Sequence, residues 1–291
     1  MVPLKTLAEI IKAADSDLKL TILHIGAIPV GNDKEPFHEL LTAFPGSQIA
    51  ALDLNKDLCA RLNRSAPRGM RYYPVALGRR EETRLLYEAH HPMCTSLLAP
   101  NEPLLALYND LVEYSGLKST SSVDTVSLDR FATDHALADV DFIKIDIQGA
   151  ELNVFQGGTG TLRDVVAIVT EVEFVPLYTD QPLFGDVCEF LSEQRLMFHK
   201  FLWLAGRALQ PTIMNDDASF AVQHLWSDAM FIRDVLSLST LSPKKLLKLA
   251  VLSHLYRSPD LTFHCLKIYD QQCGTQVLQN LLQRQQVPVT Q

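Results

Sequence analysis

Four short apolar runs, each closed by a glycine or an acid, constrain this chain more than anything else in it. Thr21-Ile22-Leu23-His24-Ile25 runs into Gly26, and Gln48-Ile49-Ala50-Ala51-Leu52 runs into Asp53. Asp141-Phe142-Ile143-Lys144-Ile145 runs into Asp146, and Val165–Val172 carries Glu171 near its end with Glu173 just beyond. Apolar runs of about four to eight residues bounded by turn signals are buried strands. Stretches with helical spacing lie between them, at about 34–44, 56–64, 129–135, 149–156 and 183–195. Strands alternating with helices of this length build βαβ units, and such units build a largely parallel sheet covered on both faces. Further strands are expected at 70–77, 85–87, 123–128, 196–204 and 228–233. The last two have no convincing helix between them, so one of them should enter antiparallel. The fold expected is therefore α/β, a doubly wound and mostly parallel sheet with one antiparallel strand near the end.

Two helical regions flank this series. Leu4, Leu7, Ala8 and Ile11 are spaced for one helix face over 4–14. Ser242-Pro243 is an N-cap followed by a first-turn proline, and Leu246, Leu247, Leu249 and Ala250 supply an apolar face behind it. This divides the chain into a sheet domain, 1–234, and a helical C-terminal appendage, 235–291. The appendage needs a partner for its leucines, either the sheet domain or a second subunit in a homodimer.

Composition excludes several classes. The chain has 291 residues, 47% of them hydrophobic, which supports one large core. Lys and Arg number 26 against 34 Asp and Glu, a net charge of −8, which is the wrong sign for coating nucleic acid. No apolar run approaches the ~20 residues that span a bilayer. Met1–Glu9 lacks the charged and apolar regions of a signal peptide. The five cysteines are scattered, without a C-x-x-C pair, so neither a disulfide framework nor a zinc site is expected. A cytoplasmic protein acting on neither nucleic acid nor membrane is the reading.

In a doubly wound sheet, ligands bind at the carboxyl ends of the strands. Gly26, with Ala27 and Gly31 behind it, follows the first strand and lets backbone approach a ligand closely, or simply makes a strand-to-helix turn. Asp53 closes the second strand, where a carboxylate accepts hydrogen bonds from ribose hydroxyls or caps a helix. A glycine turn on one strand and an acid on the next is a nucleoside-binding arrangement. Asp146 emerges from an apolar strand at the same edge. Glu171 and Glu173 are expected on opposite faces, so that only one lines the site, and Glu171 lies nearer the hydrophobic run. His24 reads either as a satisfied core histidine or as a cofactor contact. His90-His91 and Asn215-Asp216-Asp217 read as loops, and no metal site is expected.

The segment Asp141-Phe142-Ile143-Lys144-Ile145-Asp146-Ile147-Gln148-Gly149-Ala150-Glu151 resembles the signature of FkbM-type methyltransferases, which use S-adenosyl-L-methionine. Glu171–Tyr178 followed by Gln181-Pro182-Leu183-Phe184, and Ser227–Arg233, also resemble members of that family. The resemblance spans about residues 20–235. It implies a Rossmann-like methyltransferase fold, Gly26 in the cofactor's glycine turn, Asp53 on the ribose and Ala76 beside the adenine. Two positions depart from the family pattern: His24 stands where an acid is usual, and the turn Gly26–Gly31 is one residue longer and contains Pro29.

Methyl transfer requires that acceptor oxygen, methyl carbon and sulfur be held in line. An alcohol must also lose a proton, for which Asp146 is the first candidate and Glu171 the second. The resemblance implies an O-methyltransferase whose acceptor is a hydroxyl on a sugar or natural-product-like small molecule. Residues 90–120, with Thr95, Ser96 and Tyr108, are long enough to cover that acceptor. The competing classes are a nicotinamide-dependent oxidoreductase, disfavoured by the missing Gly-x-Gly-x-x-Gly, and a non-catalytic binding protein on a methyltransferase fold.

Overall fold

Leu4, Leu7, Ala8 and Ile11 form one buried stripe on the helix Leu4–Ala14, which covers one face of the sheet that follows. The structure is a computed structural model that describes residues 1–27, 35–137, 139–213, 217, 220 and 223–285. Gly31, Asn215 and Asp216 lie outside the described residues. The strands are β1 (Thr21–Ile25), β2 (Gln48–Asp53), β3 (Met70–Pro74), β4 (Ala76–Gly78) and β5 (Glu82–Ala89), then β6 (Leu117–Ser127), β7 (Phe142–Ile145), β8 (Ala167–Glu173), β9 (Leu196–Phe201) and β10 (Trp226–Arg233).

Seven of them form one sheet in the order β3-β2-β1-β7-β8-β10-β9. Strands β1, β2, β3, β7 and β8 run parallel, and β10 is antiparallel to both its neighbours, as the missing helix before it required. The chain winds outward from β1 to β3 and then returns to place β7 against β1, with Ile25 opposite Ile145. That reversal opens a crevice at the carboxyl ends of β1 and β7, the place where doubly wound sheets bind ligands. Period-two alternation splits β1 between two cores: Ile22 faces the N- and C-terminal helices, while Leu23 and Ile25 face the helices Leu128–Asp134, Glu151–Gln156 and Phe184–Glu193.

The stretch 70–77, expected as one strand, is two. Pro74 has no N–H to continue the ladder, and after Val75 the chain leaves the main sheet. Strand β4 then joins a second sheet in the order β4-β6-β5. Strand β6 begins at Leu117, six residues before the expected strand at Val123. Leu117–Ser122 is polar, lacks alternation and is exposed, so only its antiparallel pairing with β5 makes it a strand.

The C-terminal helices Pro243–Leu255, Pro259–Cys273 and Val277–Gln285 share one core with β1, β2 and the N-terminal helix. Leu246, Leu247, Leu249 and Ala250 are fully buried there. The three lysines of the first C-terminal helix divide: Lys244 is exposed, but Lys245 and Lys248 reach Asp141 at 2.9 and 2.7 Å. Asp141 is wholly buried and also accepts the Thr21 amide at 2.9 Å. Two ammonium groups and an N–H thus compensate a carboxylate that would otherwise be an unpaired buried charge.

Candidate cofactor and acceptor site

Gly26 ends β1 with a φ of +79°, and an ideal Cβ there would lie 1.8 Å from the Asp146 carbonyl oxygen. A side chain cannot exist at that position while β1 and β7 stay paired. The Gly26 and Ala27 amides both donate to the Leu52 carbonyl, at 3.0 and 2.9 Å, so the turn is tied to the end of β2 as well. A cavity of about 710 Å³ opens beside it. Gly26, Ala27, Asp53, Ala76, His24 and Asp146 all line that cavity. Asp53 is buried; its Oδ1 accepts the Asn55 amide at 2.7 Å, the one hydrogen bond to its carboxylate among the described residues. Burial raises its pKa, opposed by that amide.

The turn after β7 is held by its own side chains. Gln148 and Gly149 are left-handed, with φ of +60° and +97°, and Gly149 gives close passage to the Gln181 amide. Glu151 reaches back to accept the Ile147 amide at 2.8 Å. The Gln148 side-chain amide donates to Asp146 Oδ1 at 2.9 Å and to Glu171 Oε2 at 2.6 Å. Glu171 therefore stands behind Gln148 and is not part of the cavity wall, where it was expected. Glu173, expected on the opposite face, is buried with it: positions two apart in a strand share a face, and the charges of the two glutamates act on each other.

Asp146, Glu151 and Glu171 bring carboxylate oxygens within 4.8 Å of one another, a spacing that suits a cation. Here N–H donors from Gln148 and Ile147 already occupy several of those oxygens. Burial pushes the Glu151 carboxyl up to about 7, and burial together with the negative charge of Asp146 raises Glu171 well above the usual carboxylate range. The arrangement is one in which crowded acids hold protons. This convergence was not visible in the sequence, because Glu151 reads there as the first acid of a helix.

His24 is not the satisfied core histidine its apolar neighbours suggested. Its Nδ1 is buried without a hydrogen-bond partner among the described residues, and burial, followed by the charge of Lys144, lowers its pKa to about 3. The ring is neutral and lies edge-on to Phe37 at 5.2 Å. In register with it on β7 is Lys144, which pairs with Asp228 at 2.7 Å. Burial disfavours the Lys144 ammonium, but the charges of Asp146, Asp228 and Glu35 outweigh it and hold its pKa above the ordinary value.

The 90–120 segment covers one side of the cavity through Thr95 and Ser96. Ser96 donates to the Gln148 carbonyl at 2.7 Å, and the Tyr178 hydroxyl lies 3.0 Å from both the Cys94 carbonyl and Gln148 Oε1. Tyr108, expected with them, is buried elsewhere, against Leu105 and Leu111, and donates to Gln223. The segment holds two short helices, Glu102–Leu105 and Leu111–Ser115, parted where Asp110 turns left-handed.

A doubly wound α/β sheet with its cavity at the switch point, a glycine turn on β1 and acids closing β2 and β7 is the arrangement in which such sheets take ligands. The model of the methyltransferase FkbM domain matches residues 36–197, more than half of the chain, and the chain belongs to that family. Two solved structures are similar over 79% of this chain. One is an uncharacterized COG1565 superfamily protein from Burkholderia thailandensis, with 14% identity, 78% of its own chain covered and a TM-score of 0.29. The other is a COG1565 superfamily member from the same organism bound to S-adenosyl-homocysteine, with 12% identity, 76% covered and a TM-score of 0.31. Comparison with curated protein sequences gives no match. Among the described residues, no helix is long and apolar enough to cross a membrane.

Proposed function

We propose that this protein transfers a methyl group from S-adenosyl-L-methionine to a hydroxyl of a small molecule of the sugar or natural-product kind. The observation that carries the reading is that Gly26, Asp53, Ala76 and Asp146, which lie far apart in sequence, line one cavity at the sheet's switch point. The residues suit the cofactor. Asp53 is a buried acceptor for ribose hydroxyls, the apolar wall at Val75, Ala76 and Leu77 suits a purine, and His24 Nδ1 is an orphaned polar atom further along the wall.

When bound, the sulfonium group supplies an activated methyl carbon. The protein's own task is placement. Asp146 is the group we assign to the acceptor hydroxyl, either orienting it or taking its proton. Gln148 fixes the Asp146 carboxylate from behind, and Glu171 acts through Gln148 as a positioning residue. Thr95 and Ser96 shield the reaction from water on the open side. The five free, scattered cysteines suit the reducing cytoplasm, where we place the protein.

Calorimetric titration with S-adenosylhomocysteine tests the reading. Binding is expected, and Asp53→Ala should weaken it by ~1–3 kcal/mol, because the ribose loses a charged acceptor. An unchanged affinity would reduce Asp53 to a turn residue. A wild-type chain that binds no S-adenosyl ligand would leave a non-catalytic member of the family.

A further inference from the structure

Among the described residues, acids outnumber cations at the end of the cavity away from Ala76. Glu35, His24, Lys144 and Asp146 line it. The Lys144 ammonium is engaged by Asp228 at 2.7 Å. His24 is neutral. Among the described residues, three carboxylates, Glu35, Asp146 and Asp228, therefore act on one ammonium. Glu35 is the member with least support: its carboxylate receives no hydrogen bond from the described residues. It directly precedes the short helix that begins at Pro36, where its backbone carbonyl accepts the His38 amide. A second polar group is also unfulfilled here, His24 Nδ1, and His24 is more than nine-tenths buried. Behind them Tyr256, from the C-terminal helices, buries a hydroxyl that has no partner among the described residues.

Among the described residues, the one ammonium of this pocket end, Lys144, is already engaged by Asp228. An acceptor-only carboxylate and the lone pair of a neutral imidazole are both completed by one N⁺–H group. We infer that Glu35 and His24 together receive the α-ammonium of the cofactor's methionine tail, with Glu35 supplying the charge and His24 Nδ1 a second acceptor. The inference rests on the S-adenosylmethionine reading above and deepens it. The placement allows it: Gly26, at the end of β1, lines the same cavity as Asp53 on the β2 side and Glu35 and His24 here, so a nucleoside held by its ribose at Asp53 would direct its 5′ substituent toward this end. The shift at Glu35 has the matching direction. Burial raises its pKa, with Lys144 opposing and Asp228 and Asp146 adding to the rise, as expected of an acid awaiting a counter-charge.

The test compares two ligands that share the nucleoside and differ in the tail. S-adenosylhomocysteine carries the ammonium, and 5′-methylthioadenosine lacks the whole amino-acid group. Both are titrated calorimetrically into the full-length wild type, Glu35→Gln and His24→Phe, the last chosen to keep the ring packed on Phe37. Glu35→Gln should cost S-adenosylhomocysteine about 10- to 100-fold in affinity and leave 5′-methylthioadenosine within about twofold. His24→Phe should show the same selectivity with a smaller loss. The methylthioadenosine affinity reports whether each variant keeps a folded nucleoside site, so a general loss of structure appears as an equal fall for both ligands. Equal falls, or no fall for S-adenosylhomocysteine in Glu35→Gln, overturn this inference while the cofactor reading stands. A wild type that binds neither ligand overturns the cofactor reading and this inference with it.

Discussion

Asp146 and Glu151 belong to one turn but carry opposite duties, and each can be tested alone. Asp146 lines the cavity at the end of β7, so Asp146→Asn keeps shape and removes basicity. If it takes the acceptor's proton, kcat on the true acceptor should fall ~10²–10⁴-fold with little change in cofactor affinity. A screen of sugar and natural-product alcohols must supply that acceptor, and a variant that loses cofactor affinity and stability together would make Asp146 a structural acid instead. Glu151 faces inward and ties the turn through the Ile147 amide, with its carboxyl at about 7. In the unfolded chain it titrates near ~4.3, so below about pH 4 both states hold the proton and nothing is lost. Between there and about 7 the unfolded chain alone releases the proton, and stability falls as pH rises; above 7 the deficit is constant. Glu151→Gln keeps the amide's acceptor and removes the titration. Relative to wild type it should gain roughly 1–3 kcal/mol in urea unfolding between about pH 4 and pH 8. A stability difference that does not change with pH would assign the high-pH deficit to another acid of the cluster.

At the scale of elements, the C-terminal helix Pro243–Leu255 is locked to the mouth of β7 by charge. Asp141, one residue before β7, is fully buried between Lys245 and Lys248 and is linked to the first residue of β1. Replacing both lysines with methionine keeps the packing stems but strands the carboxylate, and should cost about 3–5 kcal/mol. Adding Asp141→Asn to the pair should recover much of that loss, since the uncompensated charge is then gone. Denaturant midpoints for the double and triple variants settle this; equal midpoints would mean that the lysines act by packing alone. Elements were legible in the sequence in proportion to their apolar pattern. The helix Leu4–Ala14 and strands β1, β2 and β7 announce themselves by period. The polar start of β6 does not, because its pairing with β5 holds it and no core requires it. The break between β3 and β4 was signalled by Pro74, although the residues around it read as a continuous strand.

The whole molecule has one apolar core on the β1–β2 face, built jointly by the first helix, the sheet and the C-terminal helices. Ending the chain after Asp234 would therefore strip a cover from the sheet. Leu246, Leu247, Leu249, Val251 and Leu252 are all fully buried, and each is worth about 1.5–3 kcal/mol of burial. Together they match the ~5–15 kcal/mol by which domains are stable, so the shortened chain should aggregate or show no cooperative unfolding. A truncated chain that stays monomeric and binds S-adenosylhomocysteine like the full one would contradict this.

By itself the sequence determined the class of the fold and the strand ends where chemistry would lie. Short apolar runs have few ways to be buried, and Gly26, Asp53 and Asp146 mark the ends of three of them. The family was legible too, in the run from Asp141 to Glu151. What the tertiary structure alone decided concerns groups brought together across the sheet. Lys144 beside His24, Gln148 between Asp146 and Glu171, Lys248 on Asp141 and Glu35 at the cavity's far end are contacts between distant segments. The ionisation of His24, Glu35, Lys144 and Glu171 follows from burial and from neighbours that no periodicity encodes. A strand pattern specifies which face a residue takes; strand order and loop course specify what it meets there.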